Sequence, residues 1–328
     1  MVFERQSSMT ASSDLHVIVG AGPVGSALAE RLVRDGHRVR VLTRSGRDPG
    51  IPGAEPIAVD ASDIAALTSR VTGASVLYNC ANPGSYTQWE KLWPPLAASI
   101  LSAAERSGAV LTTASNLYGY GRVDAPMTRR TPLQPSDHKG ALRARMWQQA
   151  LAAHESGRVR VTELRSSDYI GPTLPISSGL LARYADATLQ GKTATVLADP
   201  DQPHTWTAID DVAATLAVLG LDERAWGSAW IAPSNPPATV REVLRGLAEQ
   251  VGAVEPRVRQ VPGWLLRTGA ITIPLLREVS GVLYQFDAPF IADGSETSDV
   301  FGIAPSPWHP LLAETARAWA ERAGKPTR

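Results

Sequence analysis

Apolar and polar positions along the first half of the chain switch repeatedly between two periods. A short apolar run at Leu15–Val19 ends in glycine, and the apolar residues Val24, Ala27, Leu28, Leu32 and Val33 then recur at helical spacing through Val24–Arg34, up to Gly36. Further strand-like runs follow at Val39–Leu42, Pro56–Val59, Ser75–Cys80, Ala109–Thr113 and Val159–Leu164. Helical stretches separate them at Ile64–Val71, Leu96–Ser107 and His138–His154. Strand and helix in alternation with short links predict an α/β fold with a doubly wound parallel sheet, because parallel strands need crossover helices. The second half breaks this rhythm at Gly171-Pro172, Pro200–Pro203 and Pro233–Pro237, with helices predicted at Ile209–Leu219, Val240–Val251 and Leu311–Arg322.

The segment Gly20-Ala21-Gly22-Pro23-Val24-Gly25 follows the first strand, opens the first helix, and is followed by a second strand. In that context G-x-G-x-x-G predicts a phosphate loop: a tight turn at Gly20, backbone approach to a pyrophosphate at Gly22, and close helix–strand contact at Gly25. Pro23 suits an early helical position, since its missing N–H has no intrahelical partner there. The reading is therefore a Rossmann-type dinucleotide site. The second strand ends Thr43-Arg44-Ser45-Gly46-Arg47, with no acid to accept bonds from ribose hydroxyls. Arg44, with Thr43 and Ser45, points to the 2′-phosphate of NADP(H), which a guanidinium can grip through paired charged bonds. Asp60, at the third strand's end, is read as an acceptor for the adenine amino group, as a cap of the next helix, or as both.

This organisation predicts a leader at 1–14, a dinucleotide-binding domain at 15–171 with 205–232 returning to it, and a smaller C-terminal substrate lobe from 172–204 and 233–328. Met1–Asp14 is polar and lacks the apolar core of a secretory signal; it reads as a disordered leader or an alternative start upstream of Met9. Lys plus Arg number 32 and Asp plus Glu 32, so the chain carries no net basic footprint for nucleic acid. Arg257, Arg259 and Arg267 read as a solvated face. No run approaches the ~18 apolar residues of a membrane span. The single cysteine rules out an internal disulfide and fits a reducing, cytoplasmic setting. No metal-ligand spacing is found. The expected partner is a small-molecule substrate, on a monomer or homodimer.

Several segments in order resemble the short-chain dehydrogenase/reductase superfamily, in its extended or atypical epimerase- and reductase-like branch. They are Tyr78-Asn79-Cys80-Ala81-Asn82, Thr112-Thr113-Ala114-Ser115-Asn116-Leu117-Tyr118-Gly119, Leu164-Arg165 through Gly171-Pro172, and Ile209-Asp210-Asp211-Val212-Ala213. The resemblance implies that Ala81, Asn82 and Thr113 line the cofactor. It also implies a Tyr-x-x-x-Lys pair on one helix face, yet none of the seven tyrosines has lysine four residues later. The corresponding stretch, Pro135–Arg143, offers Lys139 and Arg143 in one register and His138 and Leu142 in the other; the first keeps a fixed charge. Lys139, Ser115 or Thr113, and Tyr118 are the candidates for proton transfer, and Arg143 for the ribose, although Lys139 and Arg143 also fit a plain solvated face. The family's active-site serine position falls on Ala114.

Cys80 reads as a small buried hydrophobe rather than a nucleophile. His204 and Trp206 either line a pocket or pack, and so do Tyr86, Trp89 and Trp93. The leading expectation is an NADP(H)-dependent oxidoreductase that reduces a C=O, C=N or activated C=C bond. The alternatives are a cofactor-dependent epimerase, dehydratase or cyclase without net redox change, and a non-catalytic NADP(H)-binding regulator.

Overall fold

The computed structural model describes residues 14–176, 179–262, 265–266 and 273–323. The seven-stranded sheet consists of β1 (Leu15–Val19), β2 (Arg38–Thr43), β3 (Ala54–Ala58), β4 (Ala74–Asn79), β5 (Val110–Asn116), β6 (Val161–Ser166) and β10 (Ser228–Ile231). Its order is β3-β2-β1-β4-β5-β6-β10, and every pairing is parallel. The direction of winding reverses between β1 and β4, so the carboxyl ends of these neighbours border the crevice where such sheets take ligands.

Both faces of the sheet are covered. Along β1, Ile18 joins one core and Val17 and Val19 the other, as the two-residue period of a strand requires. Helices α1 (Pro23–Arg34) and α6 (Ile209–Leu221) pack together on the Ile18 side. Helices α2 (Ile64–Val71), α3 (Trp89–Ser107) and α4 (His138–Glu155) cover the other. The first core continues into α5 (Gly179–Leu189), α7 (Val240–Gln250) and α10 (Trp308–Arg322). The buried Asp211 of α6 accepts bonds from the Ser306 amide (2.8 Å) and hydroxyl (2.5 Å), which ties the C-terminal region to the sheet layer.

Helix α3 begins at Trp89, seven residues before the predicted Leu96, and carries Pro94 and Pro95 in its interior. The two missing N–H groups masked it from a reading that ends helices at proline. Strand β5 runs on to Asn116, so the hydroxyl-rich motif is strand rather than loop. Two short parallel pairs lie outside the main sheet: β7 (Asp168–Ile170) with β9 (Trp206–Ala208), and β8 (Ala194–Val196) with β11 (Val258–Gln260). Helices α8 (Pro274–Ser280) and α9 (Ser295–Phe301) lie in the C-terminal part of the chain. The expected leader lies outside the described residues but for Asp14, as does Arg267. Among the described residues no helix is long and apolar enough to cross a membrane.

Candidate functional site

The glycine loop sits at the β1 carboxyl end. Gly20 adopts φ +103°, and a Cβ there would meet Cys80 O at 2.8 Å. Gly25 is tighter still, since its Cβ would lie 2.0 Å from Gly20 O. Gly22 is different: a Cβ there meets nothing within 4 Å. The loop thus needs Gly20 to pass the end of β4 and Gly25 to close on itself, and it keeps Gly22 facing open space. Gly22 is the N-cap of α1 and Pro23 its first residue, so the free amides of the first turn lie beside that space. Ala21 is half-buried here, and Val24 is buried in the core. This geometry fits a pyrophosphate.

Arg44, Ser45 and Arg47 are exposed at the end of β2, and Thr43 is half-buried with its hydroxyl unpartnered among the described residues. The Ser45 hydroxyl accepts from the Arg47 amide. Asp60 accepts from the Ser62 hydroxyl (2.7 Å) and amide (2.9 Å); these bonds, with a smaller contribution from the Arg44 charge, hold its carboxyl below the usual range. The cap of α2 is Asp63 instead, which accepts from the Ala65 and Ala66 amides. Asp60 is therefore free of the capping duty. Past the end of β4, Ala81 is half-buried and Asn82 exposed. Burial pushes the Cys80 thiol up to about 12, which keeps it protonated and inert.

Helix α4 lies against the end of β5. Asp137 caps it by accepting from the Gly140 amide at 2.8 Å. Gly140 lets the helix approach closely, since a Cβ would fall 2.3 Å from Tyr118 O. Lys139 is 1% exposed and Arg143 8%, so neither lies on a solvated face, whereas His138 is exposed. Arg143 Nη2 donates to Ala114 O and to Ser115 Oγ, each at 3.1 Å. Its guanidinium lies 4.8 Å from the centre of the Trp93 ring, and its Nη1 is buried without a partner among the described residues. That orphaned donor suits a ribose or substrate oxygen. Arg143 and Thr113 also line a partly open crevice between α3, α4 and the sheet, with Asn79, Trp147 and Glu163. Ser115 is on the α4 side of β5, while Ala114 packs against the opposite core.

Two carboxylates, not a second cation, face the Lys139 ammonium. Asp137 Oδ2 and Glu278 Oε2 each lie 2.9 Å from its Nζ, and His138 Nε2 is 3.2 Å from the same Glu278 oxygen. Glu278 belongs to α8, 139 positions away, and no motif marks it in the sequence. Nearby, the Tyr118 hydroxyl bonds that of Tyr86 at 2.8 Å, and the Tyr118 ring stacks on Trp89. Burial raises both phenols above the usual range. Trp89, Trp93 and Trp206 are all buried. His204 is buried too and pairs with Asp168, a contact the sequence does not announce.

Residues 16–225 match the model of the NAD dependent epimerase/dehydratase family. No curated protein matches the sequence significantly. Among solved structures, a dTDP-glucose 4,6-dehydratase from Streptomyces venezuelae, a double mutant with NAD bound, is similar at 21% identity with a TM-score of 0.76, over 94% of this chain and 98% of that one. The UDP-N-acetylglucosamine 4-epimerase of Methanobrevibacter ruminantium M1 gives 15% identity and a TM-score of 0.78, over 94% and 99%. The dTDP-glucose 4,6-dehydratase of Bacillus anthracis, in complex with NAD, gives 17% and 0.77, over 94% and 97%. At these identities the structures attest the fold. The family match covers well over half of the sequence, and with the phosphate loop and the order of the sheet it leads to one conclusion: the chain belongs to the NAD dependent epimerase/dehydratase family.

Proposed function

We propose that this chain is a cofactor-retaining epimerase or dehydratase acting on a hydroxylated small molecule, with NADP(H) as its dinucleotide. The family and its structural neighbours favour this reading over the net reductase expected from the sequence, because those neighbours are named as dehydratases and epimerases. The observation that carries the proposal is the glycine loop, packed shut at Gly20 and Gly25 and open at Gly22. A bound nicotinamide supplies a reversible hydride acceptor.

The chain's own residues then have these parts. The first-turn amides of α1 hold the pyrophosphate, with Asp60 placed for the adenine amino group. Arg44, with Thr43 and Ser45, binds the 2′-phosphate. Ala81, Asn82 and Thr113 border the nicotinamide end, and Arg143 offers its spare Nη1 to the ribose. Tyr118, a phenol that burial holds protonated to still higher pH, is bonded to Tyr86 and is the candidate proton carrier. Ser115 is aligned by Arg143. Lys139, engaged by two carboxylates, fixes α4 in place rather than transferring protons.

The test is calorimetric titration with both cofactor pairs, followed by NMR of candidate sugars in the presence of bound cofactor. NADP(H) should bind more tightly than NAD(H), and Arg44→Asp should weaken it roughly ten- to a hundred-fold, in keeping with the loss of ~1.5–3 kcal/mol per charged bond. Product should accumulate without net cofactor oxidation. Stoichiometric consumption of NADPH would instead establish the reductase.

A further inference from the structure

We infer that Tyr86 completes a two-phenol proton relay with Tyr118. In it, Tyr118 exchanges a proton with a substrate oxygen, and Tyr86 holds the negative charge that the exchange leaves behind. The inference rests on the reading above, in which Tyr118 serves the reaction at the carboxyl edge of the sheet.

Both phenols reach that edge from neighbouring strands. Tyr118 stands two residues beyond β5 and Tyr86 seven beyond β4, and β4 lies between β5 and the β1 strand that carries the glycine loop. Tyr86 opens a single tight turn, Tyr86–Gln88, which leads into α3 and packs against α8. The two residues are half-buried and share the Trp89 ring: Tyr86 meets it edge-on at 5.0 Å, and Tyr118 stacks on it at 6.2 Å. Their hydroxyls are 2.8 Å apart. Two bonded phenols hold two protons, one between the oxygens and one free for a third partner. When Tyr86 donates, the free proton is that of Tyr118. Transfer then breaks the Tyr118 O–H as the substrate O–H forms, and breaks the Tyr86 O–H as a new Tyr118 O–H forms. The electron pair comes to rest on Tyr86 Oη. The reverse sequence draws a proton from the substrate and restores both phenols.

The surroundings favour the charge on Tyr86. The Lys139 ammonium lies 5.7 Å from the centre of the Tyr86 ring, and the Tyr118 hydroxyl donates to the Tyr86 oxygen once the protons have moved. The Asp137 and Asp168 carboxylates act against that charge, and Glu278 does so through its hold on Lys139. Tyr118 also faces Asp168 and the Tyr284 phenol. Glu90, Lys91, His138 and Arg277, on the elements around Tyr86, are exposed to solvent. Burial, the largest influence, raises Tyr86 and lifts Tyr118 well above the usual phenol range, so both are protonated at rest. Tyr86 acts through Tyr118 and is a positioning residue for the proton.

The test places a fluorinated tyrosine, whose phenol is more acidic than the natural one, at position 86 or at position 118 of the NADP(H)-loaded protein. Fluorine-19 NMR then follows each label against pH. The label at 86 should lose its proton about tenfold more readily than the label at 118, with a midpoint about one pH unit lower. Tyr118→Phe should raise the midpoint of the label at 86, because the donor to its phenolate is gone; a Tyr86 that merely packs would not respond. Coinciding midpoints, a lower midpoint at 118, or a label at 86 that never ionises overturns the relay. So does an unchanged midpoint at 86 in Tyr118→Phe. The comparison of the two positions stands even if that variant does not fold. Failure to bind the dinucleotide would undo the functional reading instead, while the midpoints of the unloaded protein would still decide the relay.

Discussion

At the scale of single residues, the three loop glycines invite opposite expectations. Gly22 has φ −74°, a value open to any residue, and space where its Cβ would go. Gly22→Ala should therefore leave stability within ~1 kcal/mol of wild type, since the backbone effect of such a change is itself ~0.4–1 kcal/mol. Its damage should fall on dinucleotide binding. Gly25→Ala forces a methyl onto Gly20 O and should cost about 1–3 kcal/mol or more by overpacking. Urea melts and cofactor titrations on the two variants separate these roles; equal stability loss in both would contradict the loop geometry. His16 gives a pH-dependent counterpart. It is buried at the sheet's centre with its Nδ1 3.1 Å from the Tyr78 hydroxyl and its ring against His37, and burial, reinforced by the His37 charge, lowers it from 6.5 to about 4. In the folded state it stays neutral where the unfolded chain takes up a proton. The stability this represents is complete above about pH 6.5 and is lost as the pH falls toward 4, by about 3 kcal/mol in all. Denaturant titrations at several pH values should show this loss, and His16→Asn should flatten it.

At the scale of elements, helix α4 shows how one end of a helix can hold two functions. Asp137 Oδ1 caps the helix through the Gly140 amide, while Oδ2 faces the Lys139 ammonium. Asp137→Asn keeps the cap oxygen and loses the charge; Asp137→Ala loses both. Removal of an N-cap costs ~0.5–2 kcal/mol, so Ala should be less stable than Asn by roughly 1 kcal/mol in thermal or urea melts. Indistinguishable stabilities would show that the cap contributes little. The elements also differ in how clearly the sequence announces them. Strands β1, β2, β4, β5 and β6 were legible because buried parallel strands carry apolar runs, with helical stretches between them, whereas β3, an edge strand with no buried residue, shows that signal only at its carboxyl end. Helix α3 was cut short by Pro94 and Pro95, which packing against α2 and α4 tolerates. β7 and β9 escaped notice because a three-residue strand has no period to detect. The phosphate loop was legible because its glycines answer to local geometry. The partners of Lys139 and His204 were not, because Glu278 and Asp168 reach them through tertiary folding alone, over 139 and 36 positions.

At the scale of the whole molecule, the Lys139–Glu278 pair joins α4, on the sheet, to α8, in the C-terminal part of the chain. Charges this deeply placed are costly when one partner is removed, because the other stays buried and unpaired; such losses run to ~3–5 kcal/mol. Lys139→Met leaves Asp137 and Glu278 without the lysine's charge, and should destabilise the protein by an amount of that order. Glu278→Gln leaves Lys139 with Asp137 and should cost less. Adding Glu278→Gln to Lys139→Met should recover part of the loss, since it removes one of the two stranded charges, and a double-mutant cycle in urea measures that coupling. Hydrogen exchange supplies the spatial readout: amides around 277–286 should exchange faster in Lys139→Met, while those of β1 and β4 keep their protection relative to global stability. A proton-transferring Lys139 would behave otherwise. Its loss would cut turnover by ~10²–10⁴ with stability and exchange near wild type. The two roles therefore predict opposite patterns in the same variant. A stable, slowly exchanging but inactive Lys139→Met protein would return this lysine to the chemistry.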